Sequence, residues 1–165
     1  MNLADLNVWL DYHYWARDVL LEAVAPLSPE QFTRQTEGSF KSIRDTVAHI
    51  YAAERIWYTR WLGQSPKSLL SYDLLPDVAS IRQAWTELEE KVRSFVNGLG
   101  EAGVSQVFEY TLMNGQPAVS PFWQMLVHIV NHGSYHRGQV TTLLRQLGVP
   151  PPKSTDMITF YRRPT

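Results

Sequence analysis

The sequence predicts an all-α protein, a four-helix bundle with a small β-hairpin or extended loop before its last helix. Four stretches repeat apolar residues every three or four positions, which is the spacing of a helix with one buried face. Long connections lie on either side of the third stretch, as bundle topologies allow. Only the segment around Asn114-Gly115 changes to alternation, the strongest short-range hairpin signal. No repeat, linker or low-complexity tract interrupts residues 1–165, so one domain of ordinary size is expected.

The first helix is expected from near residue 2 to about residue 25, with Leu3, Leu6, Leu10, His13, Leu20 and Val24 on its inner stripe and Pro26 beyond its end. Ser28-Pro29-Glu30-Gln31 signals a short helical turn, which the polar stretch from Thr33 to Ser39 cuts off. Ser42-Ile43-Arg44-Asp45 resembles a capping box and opens the second long helix, carried by Val47, Ile50, Trp57 and Trp61 and closed by Gly63. After the loop from Gln64 to Pro76, Asp77 caps a third helix through Val78, Ile81, Trp85, Leu88, Val92, Phe95 and Val96, ending at Asn97-Gly98. Its other face, with Glu87, Glu89, Glu90, Lys91 and Arg93, reads as solvated. Ser120-Pro121 starts the fourth helix, about 27 residues and roughly 40 Å long, which stops at Gly148 before Pro150-Pro151-Pro152 and a short tail.

Composition removes several function classes. A net charge of -1 and no basic cluster beyond Arg162-Arg163 leave no footprint for a phosphate backbone, so nucleic acid is not an expected partner. With no cysteine, disulfides, thiolate ligands and a cysteine nucleophile are excluded, and any metal must be held by nitrogen or oxygen. Met1 to Leu10 has no basic signal-like start, and no run of about 18 apolar residues exists, so a soluble cytoplasmic protein without a membrane partner is expected. The 12% aromatic content should serve core and pocket wall, with any exposed share marking a subunit interface.

Three of the five histidines, His128, His132 and His136, stand four residues apart within the fourth helix. A four-residue step advances a side chain by about 6 Å and rotates it by about 40°, so one face can chelate one ion. The apolar stripe runs through Phe122, Met125 and Ile129 to Val140, Leu143 and Leu147, and His132 and His136 occupy its middle. Imidazole at successive core positions is costly without a hydrogen bond or a metal. Periodicity therefore selects His132 and His136 as a chelating pair, against the plainer reading of packed histidines, and places His128 at the edge. His49, one position before Ile50 in the second helix, supplies an imidazole from another helix, or is an ordinary packing residue among Thr46, Ala52 and Ala53.

Tyr14-Trp15-Ala16, Phe40-Lys41-Ser42-Ile43, His49-Ile50 leading through Glu54 and Trp57 to Gly63, and above all His132-Gly133-Ser134-Tyr135-His136-Arg137-Gly138-Gln139 resemble the DinB/YfiT-like family of metal-dependent, DNA-damage-inducible bundle proteins. The resemblance covers nearly the whole chain and implies up-down-down-up helix order, frequent homodimers, and a divalent ion such as Zn, Ni, Mn or Fe. The family's metal-binding histidines map onto His49, His132 and His136. Relatives in the wider superfamily look like thiol transferases and isomerases that use a low-molecular-weight thiol as cosubstrate.

Three neutral imidazoles without a carboxylate leave an ion its full charge and an open position, an arrangement that resembles catalytic zinc, where bound water reaches a pKa of about 7. The sequence thus predicts a divalent-metal-binding protein with an open tri-histidine site, an enzyme of small-molecule substrates that transfers thiols or hydrolyses, or alternatively a non-catalytic metal-binding stress-response protein. His13 is the candidate catalytic acid or base, or a fourth ligand; its plainer role is a buried histidine with a backbone partner. Asp45, Asn131 and Gln139 are candidate orienters of the ligand rings. Arg137 would steer an anionic substrate or pair with a carboxylate of a neighbouring helix, and Tyr12, His13, Trp57 and Tyr135 are expected as pocket walls.

Overall fold

The computed structural model describes residues 1–37 and 40–164. Gly38 and Ser39, the end of the polar stretch expected to break the chain before the second long helix, lie outside the described residues, as does Thr165. Four long helices are present: α1 (Leu3–Val24), α3 (Ile43–Trp61), α4 (Val78–Gly103) and α5 (Phe122–Gln146). Short helices α2 (Pro29–Thr33) and α6 (Met157–Tyr161) and the antiparallel strands β1 (Val107–Thr111) and β2 (Pro117–Pro121) complete the fold.

Local chemistry sets most boundaries. Asn2 and Asp5 cap α1 reciprocally, each accepting the other's backbone N–H, and Ser28 with Gln31 does the same for α2. Ser42 accepts the Asp45 N–H to start α3, and the Asp45 carboxylate bonds Arg44 at 2.8 Å and does not return to the Ser42 N–H. The third long helix does not stop at Asn97-Gly98. It continues to a break at Gly100, whose φ of 63° puts the left-handed turn at the next glycine, and a final helical turn runs to Gly103. The fourth begins at Phe122, because Ser120 and Pro121 pair with Phe108 and Val107 in the hairpin.

Side-chain pairs give the helix directions. Asp11 to Arg93 and Arg17 to Glu89 make α1 and α4 antiparallel. Tyr51 beside Trp85 and Trp61 beside Phe95 make α3 and α4 parallel. His49 beside His132 and Trp57 beside His128 make α3 and α5 antiparallel. The order is up, down, down, up. Around the bundle α1 touches α4 and α5, and α3 touches the same two helices, so α1 faces α3 across the centre. The core is continuous through Leu6, Leu10, Leu20, Ile50, Trp85, Phe122, Leu126 and Leu144.

The acidic face of α4 is only partly solvated. Glu87, Glu90 and Lys91 are exposed, whereas Glu89 reaches the buried Arg17 at 2.7 Å and Arg93 binds Asp11. The tail also packs: Phe160 of α6 meets Tyr12 and Trp15 of α1 edge-on and tilted, and the Tyr12 hydroxyl donates to the Thr155 carbonyl.

Candidate metal centre

Antiparallel packing of α3 on α5 brings His49 to the level of His132 and His136. The Nε2 atoms of His49 and His132 lie 3.1 Å apart, and those of His136 and His132 are also 3.1 Å apart. One ligand atom from each of the three lies within 4.8 Å of the others. His128 is not part of this group. It is exposed, with its ring 5.8 Å from that of His132 and 5.2 Å from Trp57.

The outer nitrogens are held. Gln139 Oε1 accepts from His136 Nδ1 at 2.7 Å, which fixes the tautomer with a free lone pair on Nε2. His49 Nδ1 bonds the Tyr72 hydroxyl at 3.0 Å. With the remaining tautomer choice, a proton on His132 Nε2 satisfies one of the two short Nε2 contacts at a time. A cation among the lone pairs would satisfy all of them.

Electrostatics disfavours protonation of His49 and His132. Burial, reinforced by His136, pushes His49 down to about 4. Burial, with its histidine neighbours adding to it, pushes His132 down to about 3. Neutral imidazole is the ligating form, so at neutral pH the site is ready for a cation.

The orienters are only partly those expected. Gln139 acts on His136, whereas Asp45 is engaged by Arg44 and Asn131 is exposed. Tyr72 was not among the expected site residues, since it lies in a connection and nothing in the sequence pairs it with His49. Phe40 also has a role that periodicity does not show: its ring is 4.3 Å from His49 and 5.3 Å from His136. Beside it opens a cleft of about 220 Å³ between Phe40, Thr46, Gln139 and Leu143.

His13 lies in the core with 0% exposure, and its Nε2 is 2.9 Å from Glu54 Oε2. Its partner is therefore a carboxylate from the opposite helix and not a backbone group. Glu54 also accepts from the Tyr14 hydroxyl at 2.7 Å and the Trp85 indole at 2.6 Å. Burial alone would raise the Glu54 carboxyl, but His13 and these bonds hold it below the usual carboxylate range. The signal for Glu54 was in the sequence, because it sits on the α3 stripe between Ile50 and Trp57.

Among the described residues Arg137 pairs with no carboxylate. It is buried, donating to Ser134 Oγ at 2.7 Å and to the Tyr12 hydroxyl, and its Nε and Nη1 have no partner. Tyr12 and His13 are therefore core residues and not pocket walls, whereas Tyr135 is exposed with its ring 5.0 Å from His136, and Trp57 flanks His128. Gly133 makes this junction possible: a methyl group there would stand 2.9 Å from Arg137 Nη1 and 3.1 Å from His13 Cε1.

The fold and site define an up-down-down-up helical bundle with a histidine triad capable of holding a metal ion between two helices. The DinB family model matches residues 1–162, and the chain belongs to that family. It is similar to Protein DinB of Bacillus subtilis (strain 168), with 24% identity over 147 residues, covering 84% of this chain and 83% of that protein. Its fold resembles the crystal structure of a DinB-like protein from Bacillus cereus ATCC 10987, with a TM-score of 0.66 and 18% identity over 88% of this chain and 95% of that one. Among the described residues no helix is long and apolar enough to cross a membrane.

Proposed function

We propose that His49, His132 and His136 hold one divalent transition ion, zinc, nickel, manganese or iron, in a metal-dependent enzyme that transfers a low-molecular-weight thiol to a small molecule or hydrolyses one. The observation that carries this reading is the convergence of three Nε2 atoms, two of them aimed by bonds to Tyr72 and Gln139, with no carboxylate in the group. A bound ion would act there as a Lewis acid that acidifies water or a thiol. The chain supplies orientation and shelter: Phe40 and Tyr135 cover the rings, and the cleft beside Phe40 and Gln139 admits a small substrate. His13, bonded to Glu54 in the core behind Gly133, is the candidate acid or base of this reading, outside the ligand set.

In this reading residues 1–165 act as one unit in the cytoplasm, as a homodimer, on small molecules and not on nucleic acid. Light scattering should give twice the chain mass of 19.0 kDa at micromolar concentration. Elemental analysis of tag-free protein tests the centre itself. We expect about one transition ion per chain, lost in both His49→Ala and His132→Ala. Metal-free wild type that cannot be reloaded overturns the proposal. A loaded protein without thiol transfer to any electrophile, and without hydrolysis beyond that of His132→Ala, leaves a non-catalytic metal-binding stress-response protein.

A further inference from the structure

A line of rings leads away from the triad along the groove between α3 and α5. His128 stands 5.8 Å from His132, Trp57 5.2 Å from His128, and Tyr110 of β1 5.2 Å from Trp57. At its end lies Arg60, 5% exposed, with its guanidinium 4.6 Å from the Trp57 ring and 5.1 Å from the Tyr110 ring. Its single hydrogen bond is long, Nη2 to the Thr111 carbonyl at 3.4 Å, and its Nε is buried without a partner. Among the described residues it forms no ion pair with a carboxylate; burial lowers its pKa and Tyr110 opposes this. Arg17, equally buried, has Glu89 at 2.7 Å and Asp18 at 2.9 Å. A guanidinium removed from water without a counter-charge is costly, and aromatic faces compensate only part of the loss.

We propose that Arg60 is an oxyanion subsite, taking a carboxylate or phosphate group of the molecule whose reacting end meets the metal centre. The inference rests on the metal-centre reading for the identity of that molecule, but not for the subsite. Nε and Nη2 form the side edge of the guanidinium, the edge that binds an oxyanion through two parallel bonds. That edge is the one without a partner at Nε and with only the long bond at Nη2. Thr111 and His128 are exposed, so the subsite lies just under the surface. His49 and Arg60 are eleven residues apart on α3, so their backbones are separated by about 16 Å along the helix axis. The substrate class is therefore an elongated anion with its charge remote from the reacting group.

The test uses metal-free full-length protein and follows the Arg60 Nε–H and Trp57 indole N–H signals by nitrogen-15 NMR, with sodium acetate or inorganic phosphate added at constant ionic strength. We expect a saturable shift of both signals with at least one of these probes, and the stronger binder tells a carboxylate site from a phosphate site. Arg60→Gln should abolish the Trp57 response. Arg60→Lys, which keeps the charge without the two-bonded edge, should weaken it at least tenfold and guards against a folding defect in the glutamine variant. His132→Ala should retain the response, so loss of metal and loss of the subsite are read separately. No saturable shift with either probe, or an equal Trp57 response in Arg60→Gln, overturns the proposal.

Discussion

On the α1 side of α5, Glu54 is held by three donors from two other helices; on the α3 side of the same helix, three imidazoles turn one nitrogen each toward a common point. Both regions bury polar groups in one bundle, yet in the first each Glu54 oxygen has a donor, although His13 Nδ1 has no partner among the described residues, whereas in the second one proton is shared between two short Nε2 contacts. Pairing is what a fold needs from a buried charge, because an unpaired one costs several kcal/mol. In the triad and at Arg60 the polar groups are less fully matched by the described residues, which is what makes them candidates for binding something from outside the chain.

The largest effect should come from breaking the Glu54 region. Glu54→Ala strands His13, Tyr14 and Trp85 together, and should cost about 3–5 kcal/mol, read as a lower midpoint in chemical denaturation. A loss below about 1 kcal/mol would place Glu54 with the open groups instead. In the open region, Gln139→Leu should leave the fold intact and weaken metal affinity by about 10–100-fold, as loss of an outer ring partner does. Competition against a chelator measures this, and an unchanged affinity would remove Gln139 from the centre. Gly133→Ala intrudes between the two regions, where Arg137 and His13 must give way. It should cost about 1–3 kcal/mol, the usual range for overpacking, and thermal melts with and without metal will show whether the strain reaches the triad.

The last comparison is the pH response of the metal-free protein, whose effect near neutral pH is small and grows only as the pH falls. His49 and His132 titrate near 4 and 3 in the fold but near 6.5 in the unfolded chain. Between those values the unfolded state binds more protons, so their contribution to stability is present above about 6.5 and declines as pH falls toward 3. Glu54, also held low, contributes above the ordinary carboxylate range and is lost only on further acidification. A two-stage acid transition in metal-free protein, with the first stage weakened in His132→Leu, is the expected outcome. A single stage unaffected by that substitution would merge the two regions.

The four long helices, the Ser28, Ser42 and Asp77 caps and the hairpin were legible because they depend on periodicity and on bonds between residues three or four apart, whereas Ser120-Pro121 belongs to the hairpin and does not cap the last helix. The end of α4 was misplaced by a few residues, since Asn97-Gly98 and Gly100 offer the same local stop signal and packing of the following turn chose the second. His132 and His136 could be paired from spacing alone, as both sit on one stripe of one helix. His49 could not, because only the antiparallel seating of α3 on α5 decides what it meets.

The sequence by itself determined which residues face the bundle interior, that any metal site must use nitrogen or oxygen, and that two imidazoles share one face of the last helix. These are properties of short-range geometry and of composition, and they survive any arrangement of the helices. The tertiary structure alone decided that His13 joins Glu54 and not the triad, that Tyr72 meets His49 from a short 3-10 helix in the connection, and that Arg60 and Arg137 have no carboxylate partner among the described residues. Each is a contact across a long sequence separation, set by which helices touch and in which direction they run, and no periodicity encodes that.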